Sequence, residues 1–148
     1  MIKIREAVAA DAAAIISFQK EMAWETEQYD LEDSKVIPGV NTVFEKPALG
    51  KYYVAEDNNR IIASLLMTYE WSDWRNANVW WFQSVYVIPE FRRRGVFSVM
   101  YEHVKKEAES RGVAGLRLYV ESSNNIARKT YESLGMTSEH YTMYEWLR

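Results

Sequence analysis

Across residues 79–104 the spacing of apolar side chains changes its period, and this change constrains the fold more than any other feature of the chain. Val79, Trp80, Trp81, Phe82, Val85 and Val87 form a β-rich run that reads as a central strand, while Val96, Val99, Met100 and Val104 step with helical spacing. Between them lies Ile88-Pro89-Glu90-Phe91-Arg92-Arg93-Arg94-Gly95, a basic turn bearing a glycine, and Gly112 stands where the following helix would end. A buried strand that feeds a helix through a short turn belongs in a layered architecture, with helices packed on a sheet.

The rest of the chain extends the same alternation. Ile2 and Ile4 alternate with Lys3 and Arg5, and Asp11 is placed to cap a helix through Ile15, Phe18 and Met22. Residues 30–50, with Pro38, Gly39 and Pro47, keep no sustained period and read as a loop or a broken helix. Residues 52–56 and 61–69 are β-rich and are separated by Asp57-Asn58-Asn59-Arg60, which predicts a hairpin. After the helix from Val96, residues 116–120 read as a strand. Asn124 or Asn125 caps a further helix stopping at Gly135, and a last strand is expected near residues 141–147. The expectation is one domain over residues 1–148, α/β (α+β), with a mixed, mostly antiparallel sheet of about six to seven strands and about four flanking helices.

Several function classes are disfavoured at once. A formal charge of -3 supplies no extended basic field for a nucleic-acid backbone, so any anion site must be local. No apolar run approaches the roughly 20 residues of a membrane helix and no leader pattern opens the chain, which points to a cytoplasmic location. The chain has no cysteine and two histidines, His103 and His140, so a thiol nucleophile is excluded and no metal site is expected.

The turn at residues 92–98 has the parts of an anion cradle. The first turn of a helix leaves backbone N–H groups without partners and carries about half a positive charge, so a diphosphate placed there gains hydrogen bonds and field together. Gly95 admits close approach of a ligand, Arg92, Arg93 and Arg94 add charge, and Val96, Phe97 and Ser98 supply first-turn amides. Neither the dinucleotide fingerprint G-x-G-x-x-G nor the P-loop pattern is present, so a different cradle is required.

On these residues the chain resembles the GNAT superfamily of N-acetyltransferases, whose signature Q/R-x-x-G-x-G/A follows a V-x-V-like strand end. Arg92 and Gly95 match it, and Phe97 departs from Gly or Ala. A second match lies downstream, where Asn124, Ala127, Tyr131 and Gly135-Met136 are similar to the family's N-x-x-A-x-x-x-Y-x-x-x-G-F, with Met in place of Phe. The resemblance implies acetyl-coenzyme A as cofactor, its pantetheine arm on the backbone of Val85, Tyr86 and Val87, its diphosphate on residues 92–98, and Asn124 hydrogen-bonded to it. It also implies that Tyr131 acts as general acid toward the departing thiolate, a role that its ordinary pKa of about 10 suits.

Acetyl transfer to an amine also needs a proton acceptor, because a primary ammonium must lose its proton before it attacks. Many relatives carry Glu where this chain has Gln83, which cannot take that proton. Glu25 and Glu70 are the candidate bases. Glu21, Trp24, Glu25, Glu70, Trp71, Asp73 and Gln83 are candidate acceptor-binding residues, since carboxylates beside aromatic faces suit a cation. The resemblance implies direct transfer to a small-molecule or peptide amine. The alternative is a non-catalytic acyl-coenzyme A binding or sensing module on the same scaffold. An exposed last strand could pair with a second subunit, which leaves a homodimer open.

Overall fold

Helical and extended segments alternate along the chain as the change of period demands, and the computed structural model describes all residues 1–148. The chain resolves into two compact units, Met1–Leu118 and Tyr119–Arg148. The first contains β1 (Ile2–Glu6), α1 (Ala12–Glu27), α2 (Asp33–Glu45), β2 (Lys51–Asp57), β3 (Arg60–Ser72), β4 (Ala77–Val87), α3 (Val96–Ser110) and β5 (Gly115–Arg117). Single 3-10 turns at Ala9–Asp11 and Pro89–Phe91 lead into α1 and toward α3. The sheet has the order β1-β2-β3-β4-β5, antiparallel from β1 to β4, with β5 parallel to β4. A parallel neighbour cannot be reached by a tight turn, so α3 is the crossover that returns the chain to lie beside β4.

The helices occupy both faces. On β2, Tyr52 and Val54 pack with Ile15 of α1 and Val40 of α2, whereas Tyr53 between them places its hydroxyl on Glu107 of α3. This is the period of two expected of a strand with a helix layer on either side. The predicted hairpin is present, and both central residues are left-handed, Asn58 at φ 49° and Asn59 at φ 62°, as its tight turn requires. No helix is long and apolar enough to cross a membrane.

Three expectations need correction. Residues 33–45 form a regular helix despite Pro38 within it. Val40 is buried and Val36, Val43 and Phe44 pack on the same core, and their burial outweighs the roughly 4 kcal/mol that an interior Pro and a Gly cost together. Asp11 does not cap α1. Its carboxylate instead receives both Nη1 and Nη2 of Arg5, at 2.7 and 3.0 Å, and the Val8 amide at 2.8 Å, which pins β1 to the start of α1.

The sheet has five strands rather than six or seven. Residues 141–147 form no ladder. Tyr144 and Trp146 fall on one parity of that stretch and Tyr141, Met143 and Leu147 on the other, all of them exposed. An apolar residue on each parity defines no single face to bury, and a strand also needs a partner to take up its backbone groups.

The second unit is built on α4 (Asn125–Ser133). Asn124 caps it as predicted, Oδ1 accepting from the Ala127 amide at 3.1 Å, and Gly135 follows its end at φ 90°.

Candidate functional site

The turn that the sequence singled out opens α3. Gly95 is the N-cap, left-handed at φ 75°, and has no side chain with which to cap the helix. The first helical bond runs from the Val99 amide to the Gly95 carbonyl at 3.1 Å. The first-turn amides ahead of it point out of the N-terminus with the positive end of the helix dipole behind them. A side chain at Gly95 would find no atom within 4 Å, so the approach to these amides is open from that side. Arg93 is also left-handed, at φ 62°.

Side chains in the turn divide into those that could meet a ligand and those that cannot. Val96 is buried, so only its amide is available. Phe97 turns its ring onto Phe82 and Tyr101, with centroids 5.8 and 6.3 Å away, in an aromatic cluster on the α3 face of the sheet. Its departure from Gly or Ala is thus accommodated in packing. Ser98 is half-buried in the first turn, and Arg93 is exposed. Arg94 lies over the Phe91 ring at 5.2 Å.

β4 changes face just before this turn. Pairing with β3 runs Leu66↔Gln83 and then Ser64↔Tyr86, so β4 holds one extra residue at a bulge, where Ser84 takes φ 51°. Phe82 therefore faces α3, while Tyr86 faces α1, its ring tilted 34° against that of Phe18 with centroids 5.2 Å apart. On its other edge β4 pairs with β5 only at Val79, Trp80 and Trp81. Beyond Trp81 no strand pairs with that edge, so the stretch through Val85, Tyr86 and Val87 offers backbone donors and acceptors to an extended ligand.

Tyr86, a candidate cofactor residue, is 3 % exposed, and its side chain serves a different purpose. Its hydroxyl lies 2.8 Å from Glu21 Oε2 and 3.1 Å from Glu25 Oε1. Burial raises the phenol well above the usual tyrosine range, and the two carboxylates raise it further. Arg92 completes the cluster: Nε donates to the Val87 carbonyl at 2.8 Å, Nη2 donates to Glu25 Oε2 at 2.7 Å, and the guanidinium lies 5.2 Å from the Tyr86 ring centre. The structure thus joins Glu21, Glu25 and Arg92 through a phenol. The spacing of four already set Glu21 and Glu25 on one helical face, but it did not connect them to Tyr86 and Arg92, because the bulge that turns Tyr86 toward α1 is invisible in a period-two pattern. An open cavity of about 650 Å³ beside this cluster is lined by Phe18, Glu21, Arg60, Ile61, Ile88 and Glu90, among others.

The other candidates lie along the β3–β4 hairpin. Glu70 Oε1 accepts from Trp81 Nε1 at 3.0 Å and from Arg117 Nη1 at 2.8 Å, which ties three strands together. Trp81 and Arg117 were not singled out, although the hairpin register about residues 72–77 sets Trp81 diagonally across from Glu70. Gln83 Nε2 donates to Thr68 Oγ1 at 2.6 Å. Trp71 and Trp24 are each 60 % exposed, and Asp73 is exposed in the hairpin turn.

In the second unit Tyr131 lies on α4, and burial holds its phenol above the ordinary value, so it carries its proton at neutral pH. The Asn124 oxygen is spent on the cap, which leaves its amide N–H groups as the donors it can offer.

The model of the acetyltransferase (GNAT) family matches residues 10–136, a span that crosses both units. A possible acetyltransferase from Clostridium difficile 630, known as a crystal structure, is 40% identical with a TM-score of 0.91, over 100% of this chain and 98% of that one. AAC(6')-Iy, solved with the bisubstrate analogue CoA-S-monomethyl-acetylneamine, shares the fold at a TM-score of 0.82 with 15% identity, over 100% of this chain and 99% of that one. The ribosomal protein bS18-alanine N-acetyltransferase of Salmonella typhimurium is 46% identical over 52 residues, which are 35% of this chain and 35% of that enzyme. The match thus spans only about a third of the length of that curated relative. With the family model covering most of its length and a full-length relative at 40% identity, the chain belongs to the acetyltransferase (GNAT) family.

Proposed function

We propose that this protein is an acetyl-coenzyme A-dependent N-acetyltransferase, acting on a primary amine by direct attack within a ternary complex and folded as one domain over residues 1–148. The observation that carries the reading is the pairing of an uncapped α3 N-terminus at Gly95 with an unpaired β4 edge beyond Trp81. A diphosphate fits the first, and an extended amide-bearing arm fits the second. AAC(6')-Iy, of the same fold, was solved with a coenzyme A-based analogue, which supports the same choice of cofactor.

In this reading the amides of residues 95–98 hold the diphosphate, with Arg92, Arg93 and Arg94 adding charge and the backbone of Val85, Tyr86 and Val87 orienting the arm. Bound acetyl-coenzyme A supplies an activated thioester. Tyr131, protonated at neutral pH, donates to the leaving sulfur, and Asn124 donates from its amide to the cofactor. Glu25 and Glu70 are the proposed proton acceptors. Glu21, Trp24, Trp71, Asp73 and Gln83 are the further residues proposed to meet the acceptor, with the cavity beside Glu21 as its entry. A cytoplasmic location belongs to the same reading, as does a homodimer in which exposed Tyr141, Tyr144 and Trp146 are covered by a second copy.

One observation favours a second reading, a non-catalytic acyl-coenzyme A sensor: Gln83 stands on the sheet as an amide bonded to Thr68, with no proton acceptor in its place. Turnover of acetyl-coenzyme A against a panel of primary amines and N-terminal peptides separates the two. A raised melting temperature with coenzyme A and turnover on at least one amine are expected. A shift without turnover on any of them would favour the sensor, and no shift would refute both.

A further inference from the structure

We infer that Glu25 is a positioning residue that withholds Arg92 from the cofactor and is released when the diphosphate takes it. The inference rests on the proposed reading of the turn as a diphosphate site, and it concerns how that site is loaded. Arg92 is the cofactor-binding candidate with the firmest prior commitments. Two of its five N–H groups are spent, on the Val87 carbonyl and on Glu25 Oε2, and its flat face covers Tyr86.

Glu25 depends on Arg92 in turn. A phenol has one proton, yet the Tyr86 oxygen lies 2.8 Å from Glu21 and 3.1 Å from Glu25. The shorter contact goes to Glu21, so Tyr86 serves only one carboxylate well and Arg92 is the firm partner of Glu25. Arg92 is also the one cation bonded to this pair of carboxylates. Both members of the ion pair are accessible, with side chains 43% and 38% exposed, so the pair restrains Arg92 by no more than about fivefold. A diphosphate carries more charge than a carboxylate and, like it, can accept two parallel N–H groups of a guanidinium. Capture of Arg92 would therefore leave Glu25 Oε2 without its cation, ready to receive the ammonium of an acceptor. Loading the cofactor and presenting the carboxylate become one event, and the coupling is reciprocal.

Isothermal titration of coenzyme A tests this on wild type, Glu25→Gln, Arg92→Gln and the double variant, with Glu21→Gln as a control for charge alone and melting temperatures to confirm folding. Glu25→Gln should tighten coenzyme A by roughly two- to fivefold, and Arg92→Gln should weaken it. In the Arg92→Gln background the change at Glu25 should have no effect. Glu21→Gln, which removes a charge from the same cluster without touching Arg92, should tighten binding less. An indifferent or weakened Glu25→Gln would overturn the inference. Equal tightening with and without Arg92, or equal tightening by Glu21→Gln, would also overturn it, since a general field effect would then explain the result. A wild type that bound no coenzyme A would overturn the diphosphate site itself, a result distinguishable from failure of the Glu25 role alone.

Discussion

Replacing Gly95 by Asp separates binding from folding at the position on which the proposed cofactor site most depends. The added Cβ meets nothing within 4 Å, so packing costs nothing. The backbone cost is that of holding a residue with a side chain at φ 75°, about 1 kcal/mol, with Asp among the residues that tolerate it best. That lowers the melting temperature of a chain this size by about 2–4 °C. Binding suffers far more. A carboxylate about 4 Å from a phosphate, near the surface, is repelled by about 4 kcal/mol, equivalent to about a thousandfold in dissociation constant. Gly95→Asn has nearly the same shape and backbone preference without the charge, so its shortfall measures crowding alone and should be much smaller. Titration calorimetry with coenzyme A and a melting curve on all three proteins give the answer. A folded Gly95→Asp that bound within tenfold of wild type would refute the reasoning, because no diphosphate could then lie against this helix end.

Three further predictions address other links in the argument. Tyr131→Phe should lower turnover by about a hundredfold or more and leave coenzyme A affinity within twofold; equal turnover would refute its role as acid. Asp11→Asn should cost about 2 kcal/mol, because it loosens a largely buried carboxylate from the Arg5 fork. The hydrogen bonds from Arg5 hold Asp11 below the usual carboxylate range, so its contribution is full above pH of about 4 and is lost as pH falls through the lowered value. Denaturant titrations at pH 7, 4 and 3 should therefore show the gap between wild type and Asp11→Asn narrowing on acidification, and a constant gap would contradict it. Gly50→Ala would place its Cβ 2.6 Å from the Met67 carbonyl oxygen on β3, a backbone atom that cannot swing away. A loss of about 3 kcal/mol is expected by chemical denaturation, and a loss below about 1 would show that the two strands can part easily.

Local signals read well where one physical cause dominates. The Asn-Asn turn, the Asn124 cap, the glycines at 112 and 135 and the period change across residues 79–104 were all legible, because turn chemistry, capping and alternation act over a few neighbouring residues. The strand, basic glycine turn and helix that frame the proposed cradle at residues 92–98 were legible for the same reason, since they are contiguous in the chain. Local reading failed at α2, where local breakers were outvoted by burial of Val40 and its neighbours against strands that come later. It failed again at residues 141–147, where β-rich composition with apolar residues on both parities forms no ladder.

The Glu21–Tyr86–Glu25–Arg92 cluster belongs to a different order of information. Its members come from a helix, a strand and a turn up to 71 residues apart in number, and they meet only because one extra residue at Ser84 rotates Tyr86 to the α1 face. Residue types along the chain specify which groups can hold charge or give up a proton. Which of them share a hydrogen bond depends on strand register and on that bulge, and these are settled by the packing of the whole sheet between its helices.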